Sequence, residues 1–226
     1  MRFEDLNWMD VDHYLKAEDR LMIPLGACEQ HGFLSLMTDA KIPLALADAA
    51  SQKTGVLVAP AVNFGISPYF LTYPGTISLK TETLLHLVED IIRSLYHQNF
   101  KRFLVINGHG GNRSIRQKLT ELMNEISDLR IAWYDWWIAP SVEEVANKHG
   151  LKPYHAAWSE NFPFVRVCEV PQIEKTAPTP HEIMNAVQTR EVYGDGVFGG
   201  DYQASQEVMD EVFSVAIQDI LQLLEF

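Results

Sequence analysis

Hydrophobic and polar positions follow two rhythms along this chain. Short, largely apolar runs occur at Leu21 to Leu25, Val56 to Pro60, Arg102 to Ile106 and Arg130 to Tyr134, and each reads as a buried strand. Val165 to Val170 reads as a late strand of the same kind. Between them lie longer stretches with a helical period. In Thr81 to His97 the apolar residues Leu84, Leu85, Val88, Ile91, Ile92 and Leu95 fall on one face, with Ser78 or Thr81 available to cap the start. Ala40 to Lys53 reads as a helix ended by Gly55, and Arg113 to Ser127 as another. Ala204 to Leu224 closes the chain as a long helix that buries Val208, Val212, Val215, Ile220 and Leu223. Strand and helix alternate without a repeat or a long linker. The expectation is one α/β domain over residues 1–226: a three-layer sandwich with a mostly parallel central sheet flanked by helices. Such sheets bind ligands at the carboxyl edge of their strands.

Composition narrows the classes. A length of 226 residues suits one α/β domain, and 47% apolar with 21% charged residues excludes a disordered chain or a coiled coil. No apolar run approaches the roughly 18 residues of a spanning helix. The first twenty residues mix acids and bases and lack the apolar stretch of a signal peptide, so a cytoplasmic protein is expected. Thirty acids against eighteen bases give −12, a field that repels phosphate backbones and anionic lipid. The densest basic stretches are Lys101-Arg102 and Arg113 to Lys118, so neither nucleic acid nor a membrane is an expected partner. Cys28 and Cys168 have no zinc-like spacing and read as free thiols.

Three places put polar residues after a strand or a loop. Gly26 to Gly32 follows the first strand, and in an extended chain Glu29 and His31 project to one side, with Cys28 facing away. An oxygen and an imidazole nitrogen converging there suit zinc, manganese or iron. Thr38-Asp39 comes next, just before a helix, where a simple N-cap is the plainer role for Asp39. Asn107-Gly108-His109-Gly110-Gly111-Asn112 is a glycine-rich turn that either presents His109 as a ligand or cradles a phosphate. Its spacing fits neither the dinucleotide fingerprint nor the P-loop. His155 and Glu160 are five apart and converge only if the chain turns between them. His13, His86, His97, His149 and His181 read as surface or capping residues. Trp133, Trp136 and Trp137 are core candidates, although one indole after a strand can line a pocket. Ser35, Ser67 and Ser78 lack the nucleophile elbow of a serine hydrolase.

Taken together and in this order, these stretches resemble the creatininase (creatinine amidohydrolase) family. The resemblance is carried by Pro24-Leu25-Gly26 with Glu29 to Gly32, Thr38-Asp39, Tyr73 to Leu79 with Glu82-Thr83-Leu84, and Asn107 to Asn112. His155-Ala156 with Glu160 is similar to a degraded form of the family's HAGExET signature, and Gly199 to Ser205 to a family turn. The resemblance implies a three-layer fold, hydrolysis of an amide C–N bond in a small or cyclic substrate, and a homo-oligomer, in the family a hexamer. It also implies two divalent metal ions, zinc first with manganese or iron as alternatives. Glu29, His31, Asp39 and His109 match family metal ligands, Asp39 as the bridging carboxylate, and Glu160 would complete the second ion's ligands. His155 matches a histidine that contacts substrate or moves protons, and Glu160 is the second candidate for that proton. Gly110, Gly111 and Asn112 are candidates for contacts to the oxyanion.

Several positions depart from the family pattern. Phe33-Leu34 replaces a common Pro-His, and the stretch from His31 to Asp39 is one residue short. Gly111 stands where creatininase proper carries a glutamate ligand, and Tyr69-Phe70 where relatives tend to carry Glu-His. Ala157, Trp158 and Asn161 replace signature residues, and Trp158 together with Trp136 and Trp137 is a candidate for the substrate wall. Only Arg113 or Arg116 is placed to meet a phosphorylated substrate. These departures point to the wider family rather than creatininase proper. The competing expectation is a non-catalytic member that binds metal and a ligand.

Overall fold

The computed structural model describes residues 1–180 and 182–226. His181, expected as a surface or capping histidine, lies outside the described residues. Four parallel strands form the central sheet: β1 (Arg20–Leu25), β2 (Leu57–Val58), β3 (Arg102–Asn107) and β4 (Arg130–Asp135), in the order β2-β1-β3-β4. Leu25 pairs with Asn107 and Asn107 with Asp135, so three strands end level at the carboxyl edge. The helices are α1 (Trp8–Tyr14), α2 (Thr38–Thr54), α3 (Thr81–His97), α4 (Arg116–Glu125), α5 (Pro140–Lys148), α6 (Ala186–Tyr193) and α7 (Gln206–Leu223). A small antiparallel pair, β5 (Glu174–Lys175) and β6 (Gly200–Asp201), lies outside the main sheet.

The strands lack a polar alternation because both faces are covered. On one face Leu21, Ile23, Leu25, Phe103 and Val105 pack against Leu84, Val88 and Ile92 of α3 and Leu119 and Leu122 of α4. On the other, Met22, Leu104 and Ile106 meet Ile42 and Leu46 of α2, Val142 and Val145 of α5, and Val212 and Ile220 of α7. This is the three-layer architecture that the alternation of elements predicts. Among the described residues no helix is long and apolar enough to cross a membrane.

The differences from the sequence reading have local causes. α3 keeps its expected bounds, but Lys80 stands at its cap without a side-chain bond, while Ser78 Oγ accepts from Ser67 N at 2.8 Å. Arg113 to Ser127 divides into a 3-10 turn, Gly110–Ile115, and the shorter α4. Val165 to Val170 is not a strand: a 3-10 turn covers Pro163–Val165, and Arg166 turns back to bond Asn161 Oδ1 at 2.7 Å. Helices α1, α5 and α6 escape the periodicity argument because two turns hold too few apolar positions. Their starts were nonetheless written locally, as asparagine capping boxes at Asn7 and Asn185 and a proline in the first turn at Pro140.

Candidate metal centre

Three chain segments meet at the carboxyl edge of β1 and β3. The first continues β1 and carries Glu29 and His31, each 1% exposed. The second is the start of α2. Asp39 is not its N-cap: Met37 is, and Asp39 lies in the first turn, where the helix amides favour a carboxylate. The third is the turn after β3 that carries His109. Gly108 makes this meeting possible, because a Cβ there would lie 2.0 Å from Asp39 O. Any side chain at that position would push α2 away from the end of β3.

Asp39 stands in the middle. Its Oδ1 lies 2.9 Å from His31 Nε2 and its Oδ2 lies 2.9 Å from His109 Nδ1. Glu29 Oε1 adds a second oxygen 3.3 Å from His109 Nδ1, and Glu160 Oε2 approaches His31 Nε2 at 3.7 Å. The far side of each imidazole faces a main-chain carbonyl: His109 Nε2 lies 2.8 Å from Ile66 O and His31 Nδ1 3.3 Å from Glu29 O. With those nitrogens protonated, each ring turns a lone pair toward the carboxylates. Among the described residues, His31 Nε2, Asp39 Oδ2 and Glu29 Oε2 are each buried without an aligned hydrogen-bond partner. Lone pairs of a neutral imidazole and a carboxylate converge in this way around a cation, and the backing carbonyls are the usual support of ligating histidines. The donors form two sets, Glu29 with Asp39 and His109, and His31 with Asp39 and Glu160. Nitrogen and carboxylate donors suit zinc, manganese or iron, so the residues fit the implied ions.

The protein's own charges strain this cluster. Burial raises the Glu29 carboxyl pKa, and attraction to His109 only partly offsets it. Burial opposes ionisation of Asp39 too, yet His31 and His109 together hold its pKa below the ordinary range. Both histidines resist protonation by burial, and their carboxylate neighbours outweigh that and raise them well above the usual value. His155 behaves oppositely: burial, then repulsion from His31, lower its pKa well below the usual value, so it rests neutral.

His155 and Glu160 do converge, through a turn at Ala156, which adopts a left-handed φ of 60°. The turn lets Ala156 N donate to Glu160 Oε2 at 2.6 Å. The His155 ring lies 4.4 Å from that of His31 and stacks on Phe70 at 4.8 Å, and its Nδ1 lies 3.9 Å from Glu29 Oε1. Gln30, between two expected ligands, holds the other edge of the ring. Its Nε2 lies 2.9 Å from His155 Nε2, and its main-chain oxygen lies 3.2 Å from the same atom. The amide is oriented by Gly32 N, which donates to Oε1 at 3.0 Å, and by its own donation to Gly196 O.

A cavity of about 560 Å³ opens over the cluster, with Glu29, Asp39, His109, His155 and Glu160 in its lining. Of the residues expected at the substrate wall, Trp137 and Gly110 line it. Trp136 and Trp158 do not: both are buried in the core on the α2 face of the sheet, and Trp158 Nε1 donates to Lys152 O at 2.8 Å. Gly111 lies beneath the site, where a Cβ would fall 2.0 Å from Ile66 O, so this backbone has no room for a glutamate there. Asn112 is a clamp rather than a substrate contact, donating to Gly26 O and Asn107 Oδ1 and accepting from Ile66 N. Arg113 and Arg116 turn toward Asp135 in a separate groove, at 3.2 and 3.8 Å. Cys28 faces away from the cluster toward Gly75 O. Sequence reasoning missed Gln30, which its place between Glu29 and His31 could have flagged. It also missed Tyr193 and Phe198, for which no local signal exists.

A family model described as creatinine amidohydrolase (Creatininase) matches residues 4–224. A creatinine amidohydrolase of Pseudomonas putida is 32% identical over 146 residues, 59% of this chain and 56% of that one. A mycofactocin precursor peptide peptidase of Mycolicibacterium smegmatis is 36% identical over 99 residues, 41% of this chain and 40% of that one. The matched stretches thus span about half the length of these curated relatives or less. A solved structure described as "Creatininase Mn" superposes with a TM-score of 0.83 at 25% identity, covering 99% of this chain and 96% of that chain.

Proposed function

The chain belongs to the creatininase family, and on that premise we propose that it is a metal-dependent amidohydrolase that cleaves a C–N bond of a small or cyclic amide at a dinuclear centre. The observation that carries the reading is Asp39, whose two oxygens each lie 2.9 Å from a different histidine, each histidine being joined by a different glutamate. One carboxylate shared by two donor sets is what a bridged pair of ions requires. Glu29, Asp39 and His109 would hold one ion, and His31, Asp39 and Glu160 the other. When bound, such a pair lowers the pKa of a shared water and stabilises negative charge on the carbonyl oxygen.

The remaining work falls to this chain's own side chains. An amide nitrogen leaves only when protonated, so a group must carry a proton from the attacking water to that nitrogen. His155 is suited to it. With Nε2–H on Gln30 O, its Nδ1 turns a lone pair into the cavity, takes the water's proton and gives it to the leaving nitrogen. The main-chain oxygen of Gln30 keeps the ring in place in both states, because Nε2 carries its hydrogen throughout and has that acceptor at 3.2 Å. Phe70, stacked flat on the imidazole, holds its plane. Glu160 already accepts from Ala156 N and faces His31, which favours a ligand over a proton carrier.

The test begins with elemental analysis of protein purified without chelators or a metal column. About two equivalents per chain, with one lost in His31→Ala, and turnover of at least one amide in a panel of cyclic and linear substrates are expected. Two equivalents with no turnover would favour the non-catalytic, ligand-binding alternative. None, with no uptake of zinc, manganese or iron, would overturn the reading. The family's homo-oligomer belongs to the same proposal and is checked by light scattering.

A further inference from the structure

We propose that the cavity selects amides that carry a neutral apolar group, an aromatic ring above all, and discriminates against amides whose substituent is anionic. This rests on the amidohydrolase reading of the site and names the part of the substrate that lies beyond the scissile bond. The first observation is a run of rings leading away from the metal-ligand cluster. From His31 the centroids step 4.4 Å to His155, 4.9 Å to Phe198 and 3.9 Å to Tyr193, with Phe70 stacked beside His155 at 4.8 Å. Tyr193 and Phe198 lie nearly parallel, 13° apart, and both line the cavity. Such a wall offers ring faces and edges to a flat ligand.

The second observation is Ile183, which also lines the cavity and is fully exposed. An aliphatic side chain held at a cavity lip with its whole surface in water gains by covering a ligand. The third is size. About 560 Å³ is far more than an amide group fills and falls within the range of sites for whole organic molecules. The fourth is charge. Among the described lining residues the charged groups are Glu29, Asp39 and Glu160, and none is lysine or arginine. Arg113 and Arg116 already serve Asp135 in another groove. An anionic substituent against the ring wall would lose its water and find no cationic side chain there.

The test uses metal-replete protein and three ligands that share one chelating headgroup: acetohydroxamate, 3-phenylpropionohydroxamate and its para-carboxylate derivative, titrated calorimetrically. The phenyl ligand should bind at least about tenfold more tightly than the methyl ligand, and the carboxylate should cancel that gain. Phe198→Ala should shrink the phenyl-to-methyl affinity ratio toward one. Ile183→Glu, at a fully exposed position that folding does not depend on, should shrink it severalfold. Equal affinities, or tightest binding by the carboxylate, would overturn the selectivity while leaving the metal site intact. Failure of all three to bind protein that contains its metal would overturn the amidohydrolase reading, and this proposal with it.

Discussion

At the amino edge of the central sheet, Arg20 pairs with Glu18 and Arg102 with Glu18 and Asp19, all of them 20–35% exposed. At the carboxyl edge of the same strands, Glu29, Asp39 and Glu160 are at most 9% exposed and face histidines instead. The two ends solve different problems. The amino end carries its own counter-charges, and Arg20 and Arg102 also bond Leu224 O and Phe226 O, so it ties down the segment that follows α7. Pairs this wet are each worth about 1 kcal/mol or less. The carboxyl end buries three acids that, among the described residues, pair with no lysine or arginine, an arrangement that costs stability unless an ion or a proton completes it. One edge holds the fold, and the other forms the candidate metal centre.

That contrast can be broken most sharply at Asp39. Asp39→Ala removes the oxygen shared by both donor sets, so amide turnover should fall at least about 1,000-fold. Metal content should fall with it toward zero, and a variant that keeps two equivalents would end the bridging argument. Next in size is the proton path. His155→Ala should lower kcat by about 100-fold or more with the metal retained. Gln30→Ala should lower it about tenfold with little change in KM, since the side chain fixes the loop whose main-chain oxygen holds the ring, through Gly32 N and Gly196 O.

Metal removal sharpens the comparison from the side of stability. Stripping with a chelator should lower Tm by about 5–10 °C in calorimetry, reversed by adding the ion back. A rise in Tm would mean that the histidines alone balance the buried acids. At the opposite edge, Arg102→Ala should lower Tm by only about 2–4 °C and leave metal content and turnover unchanged.

The smallest effect is a pH dependence at that amino edge. Burial raises the Glu18 pKa, but the hydrogen bonds and charge of Arg20 more than reverse this, leaving it below its ordinary value. The pair therefore stabilises the fold above the unfolded glutamate pKa of about 4.3 and loses that contribution as pH falls below it. Tm measured down through that range should fall less steeply in Arg20→Ala than in the parent chain.

Much of the candidate metal centre was legible because its members sit next to strong local signals. Glu29, His31 and His109 follow apolar strands directly, and Asp39 opens a helix. The family resemblance joins them by motif alone. The aromatic wall was not legible. Tyr193 ends a two-turn helix and Phe198 lies in a loop, and neither has a neighbour in sequence that hints at a cavity. Trp136 and Trp158 misled for the complementary reason: an indole looks the same in sequence whether its face meets a ligand or the core.

The sequence by itself determined the layers, the sheet and the chemical type of the candidate donor atoms. Apolar periodicity decides which face of an element is buried, and a side chain's chemistry does not depend on its neighbours. Tertiary structure alone decided that Asp39 reaches both histidines, that Glu160 returns to His31 after a left-handed turn at Ala156, and that Gln30 rather than a carboxylate steadies His155. Each of these depends on residues up to 129 positions apart meeting within about 4 Å. Only the packing of α2 against Gly108 and of the late loops over β1 sets such distances, because no local propensity reaches across the sheet.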